Sequence, residues 1–131
     1  MKNEKKQNLS SLCPIKHTIR LLGKRWTIMI IKELYTAKSK KLSFMDLMRK
    51  LDGTSSKVLS DRLKEMAVDG LVNRKEDTAT IPSRVNYSLT KKGKDACDIL
   101  DAFKEYGIKW GADKVINCKK VDCELCPNGA E

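Results

Sequence analysis

Three groups of residues in this chain have types and spacings suited to chemistry. The first is Cys118-x4-Cys123-x2-Cys126-Pro127. Cys123 and Cys126 stand at metal-ligand spacing and Cys118 offers a third thiolate, so zinc, an iron–sulfur cluster, a redox disulfide and an inert tail are all open. A fourth ligand would come from Cys13, His17, water or a second copy of the chain. The second group is Cys13, placed just before Pro14 and close to Lys16, His17 and Arg20. A helix N-terminus and nearby positive charge both favour the thiolate, which makes Cys13 a candidate regulatory thiol; the alternative is a small buried residue. Cys97 falls inside the last expected helix and reads as packing. The third group is the polar set Ser55, Ser56, Lys57, Ser60, Asp61 and Lys64. On one face of a helix in a DNA major groove, Lys57 would donate to guanine O6 or N7 and Asp61 would accept from cytosine N4. Arg62 ranks below these, as a phosphate contact or a partner for Asp61 or the neighbours of Glu65.

Catalysis has few candidates. There is one histidine, no glycine loop for phosphate and no clustered acid–base pair, so an enzyme is not expected. A thiol–disulfide oxidoreductase would carry its C-x-x-C at a helix start after a strand, and no strand pattern precedes Cys123.

Around these residues the chain, at 131 residues, is long enough for one domain with a modest core. With 34% charged and 40% hydrophobic residues it reads as a soluble globular chain. The apolar run Ile28–Ile31 is too short to span a bilayer, and the basic N-terminus lacks the apolar core of a signal peptide, so a cytoplasmic protein with reduced thiols is expected. Lys and Arg outnumber Asp and Glu by 27 to 17, a net +10. That excess favours polyanions through counterion release, without proving them.

The elements that would position the polar set follow in order. Residues 1–10 read as a flexible basic tail. Pro14 opens a first helix, with Ile15, Ile19 and Leu22 on one face before Gly23. A second runs from about Trp26 to Tyr35, and Lys38–Lys41 is a basic connector. Ser43 and Asp46 make an S-x-x-D cap for a third helix, with Leu42 and Leu47 at staple positions. Asp52-Gly53 closes it. The next helix starts at Ser55, carries Leu59, Leu63 and Met66 at i, i+4 and i+7, and ends at Gly70. Taken alone, that pattern also describes any surface helix. After it, Val72–Lys75 and the alternating Arg84–Leu89 predict a hairpin, with Glu76–Ser83 as its turn.

Thr90 is expected to cap one long helix to about Ala112, with Ala96, Leu100, Phe103, Gly107 and Trp110 in a two-heptad seam. Apolar Ile99, Tyr106 and Ile108 outside the seam favour a dimer interface over packing within the chain. The expected fold is mainly α with a small β-hairpin (α+β). It is a winged helix-turn-helix over 11–112 with N- and C-terminal dimerisation helices (Pro14–Leu22 and Thr90–Ala112), followed by a cysteine-containing tail at 113–131. Lys41, Arg74, Lys75 and Arg84, with Lys38 and Lys40, would then contact phosphates.

This order of motifs resembles the HxlR-type winged-helix transcriptional regulators, within the wider MarR-like group. The resemblance rests on Cys13-Pro14, Gly23-Lys-Arg-Trp26, Ser43-Phe-Met-Asp-Leu47 and Ser55-x-x-x-Leu-Ser-x-x-Leu63. It continues through Asp69-Gly-Leu-Val72 and Pro82-x-Arg-Val-x-Tyr-Ser-Leu-Thr90 with Gly93. It covers roughly residues 13–111. It implies a homodimer that binds an inverted-repeat operator in double-stranded DNA as repressor or activator, and it places Cys13 where some members carry a redox- or electrophile-sensing thiol. Asn86 stands where the family usually has Glu, and Ser43 where Arg is common; both bear on wing or backbone contacts. The competing reading is a winged-helix module that binds another protein and not DNA.

Overall fold

The computed structural model describes residues 13–115. Its elements run α1 (Pro14–Leu22), α2 (Thr27–Thr36), β1 (Lys41–Ser43), α3 (Phe44–Lys50), α4 (Ser56–Val68), β2 (Val72–Asp77), β3 (Arg84–Leu89), α5 (Lys91–Asp95) and α6 (Cys97–Trp110), then a 3₁₀ turn at Ala112–Lys114. The N-terminal residues 1–10 and Cys118, Cys123 and Cys126 lie outside the described residues. No helix among the described residues is long and apolar enough to cross a membrane.

Local chemistry explains the helix boundaries at the centre of the chain. Ser43 Oγ accepts from the Asp46 amide at 3.1 Å, and the Asp46 carboxylate accepts from the Ser43 amide at 3.0 Å, closing the capping box that opens α3. The Ser43 amide, then the Ser43 hydroxyl and Arg49, hold the Asp46 carboxyl below the usual carboxylate range against the opposing effect of burial. Helix α4 starts where Ser55 Oγ accepts from the Val58 amide at 3.1 Å. It ends at Gly70, whose φ of 77° lets the chain reverse into β2 while the Leu71 amide bonds back to Met66 O at 2.9 Å. Ser43, a departure from the family pattern at the sequence level, is thus the cap of its helix.

Two expectations need correction. The connector Lys38–Lys41 is not all coil, because Lys41–Ser43 forms a third strand. The sheet order is β1-β3-β2, all antiparallel, with Lys41 opposite Ser88, Leu42 opposite Tyr87 and Ser43 opposite Asn86. Three residues are too short for a periodic signal; the strand exists because β3 offers a free edge and Leu42 can bury beside Tyr87. The long helix expected from Thr90 to Ala112 is two helices broken at Ala96. There an i→i+3 bond from the Ala96 amide to Gly93 O tightens the backbone, and Ala96 and Cys97 are both buried at the break. Thr90 does cap its first turn, accepting from the Gly93 amide at 3.1 Å.

The core sits between α2, α3, α4 and the inner sheet face. Ile30, Ile31, Leu34, Leu47, Leu59, Leu63 and Met66 are almost wholly buried and join Leu51, Leu71, Val72, Tyr87 and Leu89 in one cluster. Each large side chain removed from water in this way stabilises the fold by about 1.5–3 kcal/mol. Helix α2 starts at Thr27 with Trp26 as its N-cap, held at φ 80°. A bulky residue in that left-handed region costs about 1–3 kcal/mol, so its surroundings must hold it there.

Candidate nucleic-acid interface

Helix α4 is divided lengthwise. Leu59, Leu63 and Met66 point into the core at 0–1% exposure. Ser56, Lys57, Asp61 and Lys64 are exposed and Ser60 is half-exposed, so the six polar residues singled out from the sequence, Ser55 included, occupy accessible positions along this segment. Lys57 Nζ lies 3.9 Å from Asp61 Oδ2, one turn on, with both side chains largely in solvent. An i,i+4 pair at that distance is worth only about 0.2–0.5 kcal/mol, so either partner is free to exchange the other for a hydrogen bond to a base edge.

Arg62 resolves differently. It is mostly covered; its Nε donates to Arg25 O at 2.9 Å and its Nη1 to Glu65 Oε2 at 2.7 Å. Lys24 Nζ reaches the same Glu65 oxygen at 2.8 Å. Glu65 is held below the usual carboxylate range chiefly by the hydrogen bond from Lys24, with Arg62 adding to it and burial opposing it. The i,i+3 spacing of Arg62 and Glu65 is a signal that sequence could have carried. A partner carbonyl 37 residues away is not.

The hairpin separates its cations. Register pairs Arg74 with Tyr87, Lys75 with Asn86, and Asp77 with Arg84. Since alternate residues face opposite sides of a sheet, Lys41, Lys75 and Arg84 share the outer face, whereas Arg74 lies on the side of buried Tyr87, exposed at its margin. Lys40, Lys41 and Lys75, with Asp77, Asn86 and Ser88, line an open groove of about 540 Å³ on that outer face. Lys40 is partly occupied: its Nζ donates to Tyr35 O at 2.6 Å and sits 5.1 Å from the Tyr35 ring centre.

The two described cysteines differ. Cys13 is half-exposed at the N-cap of α1. The backbone N–H groups of Lys16 and then Ile15, with the Lys16 charge, lower its pKa against a smaller opposing effect of burial. Those amides favour the thiolate electrostatically, although neither contact is close and straight enough to count as a cap hydrogen bond. Cys97 is buried, its Sγ 3.9 Å from Gly93 O, and burial, then Asp101 and Asp98, push its pKa up. Among the described residues no group of three or more His, Cys, Asp or Glu is placed to hold a metal ion.

A second accessible surface is apolar. Helix α1 exposes Ile15 and Ile19, and α6 exposes Phe103, Tyr106 and Trp110 at 58%, 70% and 68%. The expected seam is therefore split: Ala96 and Leu100 pack into the protomer's own core, while Phe103 and Trp110 face outward. A Cβ on Gly107, between those two, would meet nothing within 4 Å, so nothing among the described residues requires a glycine there.

A capped helix, a tight turn, a second half-buried helix and an antiparallel hairpin in that order define a winged helix-turn-helix protein. The chain belongs to the HxlR-like helix-turn-helix family, whose profile matches residues 21–115. It is 33% identical over 113 residues to an HTH-type transcriptional regulator of Synechocystis sp., across 86% of this chain and 81% of that one. Among solved structures it resembles a transcriptional regulator of the MarR family from Porphyromonas gingivalis W83, with TM-score 0.68 and 30% identity over 75% of this chain and 92% of that one. It also resembles the reduced form of the redox regulator HypR, with TM-score 0.66 and 26% identity over 74% and 92%.

Proposed function

We propose that this transcriptional regulator acts in the cytoplasm as a homodimer that reads an inverted-repeat operator in double-stranded DNA through α4. The observation that carries the reading is the division of α4 into a core face sealed by Leu59, Leu63 and Met66 and an outward face of short polar and charged side chains. On this reading Lys57 and Asp61 exchange their weak mutual pair for base edges, and Ser55, Ser56, Ser60 and Lys64 complete the contact with bases and backbone. Lys41, Lys75 and Arg84 meet phosphates from the outer sheet face, and Arg74 does so from the hairpin margin.

The apolar faces of α1 and α6 are covered by those of a second copy. Gly107 supports this: a mid-helix glycine costs roughly 0.5–1 kcal/mol and meets no neighbour among the described residues that requires it, but it lets a partner backbone approach between Phe103 and Trp110. Cys13 is the regulatory thiol, since its amide and lysine neighbours favour the reactive thiolate.

A mobility-shift series in rising salt tests the reading. Selection from a random duplex library should yield one inverted repeat whose affinity falls steeply as salt rises, with the slope set by the number of phosphates met. Absent or salt-insensitive binding would favour a protein-binding winged helix.

A further inference from the structure

The turn between α1 and α2 touches α4 at two residues, Arg62 and Glu65. Arg25 offers its carbonyl to Arg62 Nε at 2.9 Å, and Lys24 Nζ reaches Glu65 Oε2 at 2.8 Å, both in the middle of α4. One residue on, Trp26 packs against the core; a Cβ on Gly53, in the turn between α3 and α4, would stand 3.7 Å from the far edge of its ring. The Arg25 guanidinium lies 5.0 Å from the centre of the same ring. Trp26 adopts a left-handed backbone that its side chain disfavours, so its surroundings must hold it there. Lys24 and Arg25 thus hold α4 at Glu65 and Arg62, and Trp26 beside them packs against the core. Arg62 faces this turn and is mostly covered, while Glu65, one helical turn on from Asp61 and 43% exposed at its side chain, is engaged by both Lys24 and Arg62.

We propose that the Lys24-Arg25-Trp26 turn is a bracket that sets the pose of α4 relative to α1, with Arg62 and Glu65 as positioning residues for operator discrimination rather than DNA contacts. The inference rests on the reading of α4 as the base-reading helix and of α1 as part of the dimer interface. Its consequence is specific. If α1 is fixed against a second copy and the bracket fixes α4 to α1, the separation of the two reading helices is fixed too, and with it the half-site spacing the dimer accepts. Arginine is needed at position 62 because one planar guanidinium must serve a carbonyl and a carboxylate together, which a lysine ammonium on a flexible stem does less well.

The test uses the full chain, with Lys24→Ala as the mild variant and Arg62→Lys as the stronger one. Amide hydrogen exchange without DNA is the first readout. Exchange over Ser56–Val68 should rise in both variants while α3 and the hairpin stay as in the parent. The second readout is binding to the selected repeat and to versions with the half-sites moved one base pair apart or together. The parent should discriminate between spacings, and the variants should lose about tenfold of that discrimination. Affinity for a single half-site should be unchanged, which a general loss of stability would not allow. Unchanged exchange in α4 with Arg62→Lys, or spacing preference retained in both variants, overturns the bracket. A parent that selects no sequence overturns the base-reading assignment instead, and the exchange data then judge the bracket's grip on α4 by themselves.

Discussion

Helix α4 buries Leu59, Leu63 and Met66 and turns Ser56, Lys57, Asp61 and Lys64 to solvent; helix α6 buries Cys97 and turns Phe103, Tyr106 and Trp110 to solvent. Both are held by one apolar face, so their inward sides say nothing about what they do. Their outward sides say a good deal. A polar face stays comfortable in water until a hydrated partner such as a DNA groove replaces the water. Large aromatic side chains left at well over half exposure mark a surface that gains by being covered. On the proposed reading one helix is for the operator and the other for the second copy.

The largest effect expected in this comparison tests the side the helices share. Leu63→Ala should cost about 2–5 kcal/mol in denaturant unfolding, since it empties a fully enclosed site. A loss within 0.5 kcal/mol, the range of ordinary surface changes, would mean that α4 is not anchored as described. Next comes the outward face of α6. Trp110→Ala should weaken self-association by about 2 kcal/mol or more in sedimentation equilibrium while the thermal midpoint of the dilute protomer holds. If the chain stays dimeric at the same concentration, the covering partner lies elsewhere.

A smaller effect sharpens the comparison for the cysteines on α1 and α6. The pKa of Cys13 is lowered and that of Cys97 raised, so thiolate forms at lower pH at Cys13. Alkylation followed peptide by peptide should therefore begin at lower pH for Cys13, with Cys97 protected until the fold opens. Equal rates for the two at neutral pH would remove Cys13 as the regulatory candidate.

Much of α4 was legible because its signals are local. Ser55, the i, i+4, i+7 leucines and methionine, and Gly70 lie within one stretch, and each acts on its own neighbours. The Ser43–Asp46 box was legible for the same reason. What was hidden depends on residues far apart in the chain. Strand β1 takes its state from pairing with β3, and the break at Ala96 falls where Ala96 and Cys97 are buried. The left-handed backbone of Trp26 has no local signal, and Arg62 takes its partner from a carbonyl at Arg25. The heptad spacing identified the right apolar residues but could not tell that the seam divides between the protomer's own core and its exposed side. The candidate phosphate residues were found as cations; only the register showed that Arg74 faces away from Lys75 and Arg84.

The most direct measurement of the central claim is the affinity of Lys57→Ala for the selected repeat and for a scrambled duplex of equal length, at one fixed salt concentration. If α4 reads bases, binding to the repeat should weaken by roughly 1–3 kcal/mol and the preference over the scrambled duplex should shrink with it. Unchanged affinity and unchanged preference would contradict the assignment of α4 as the reading helix.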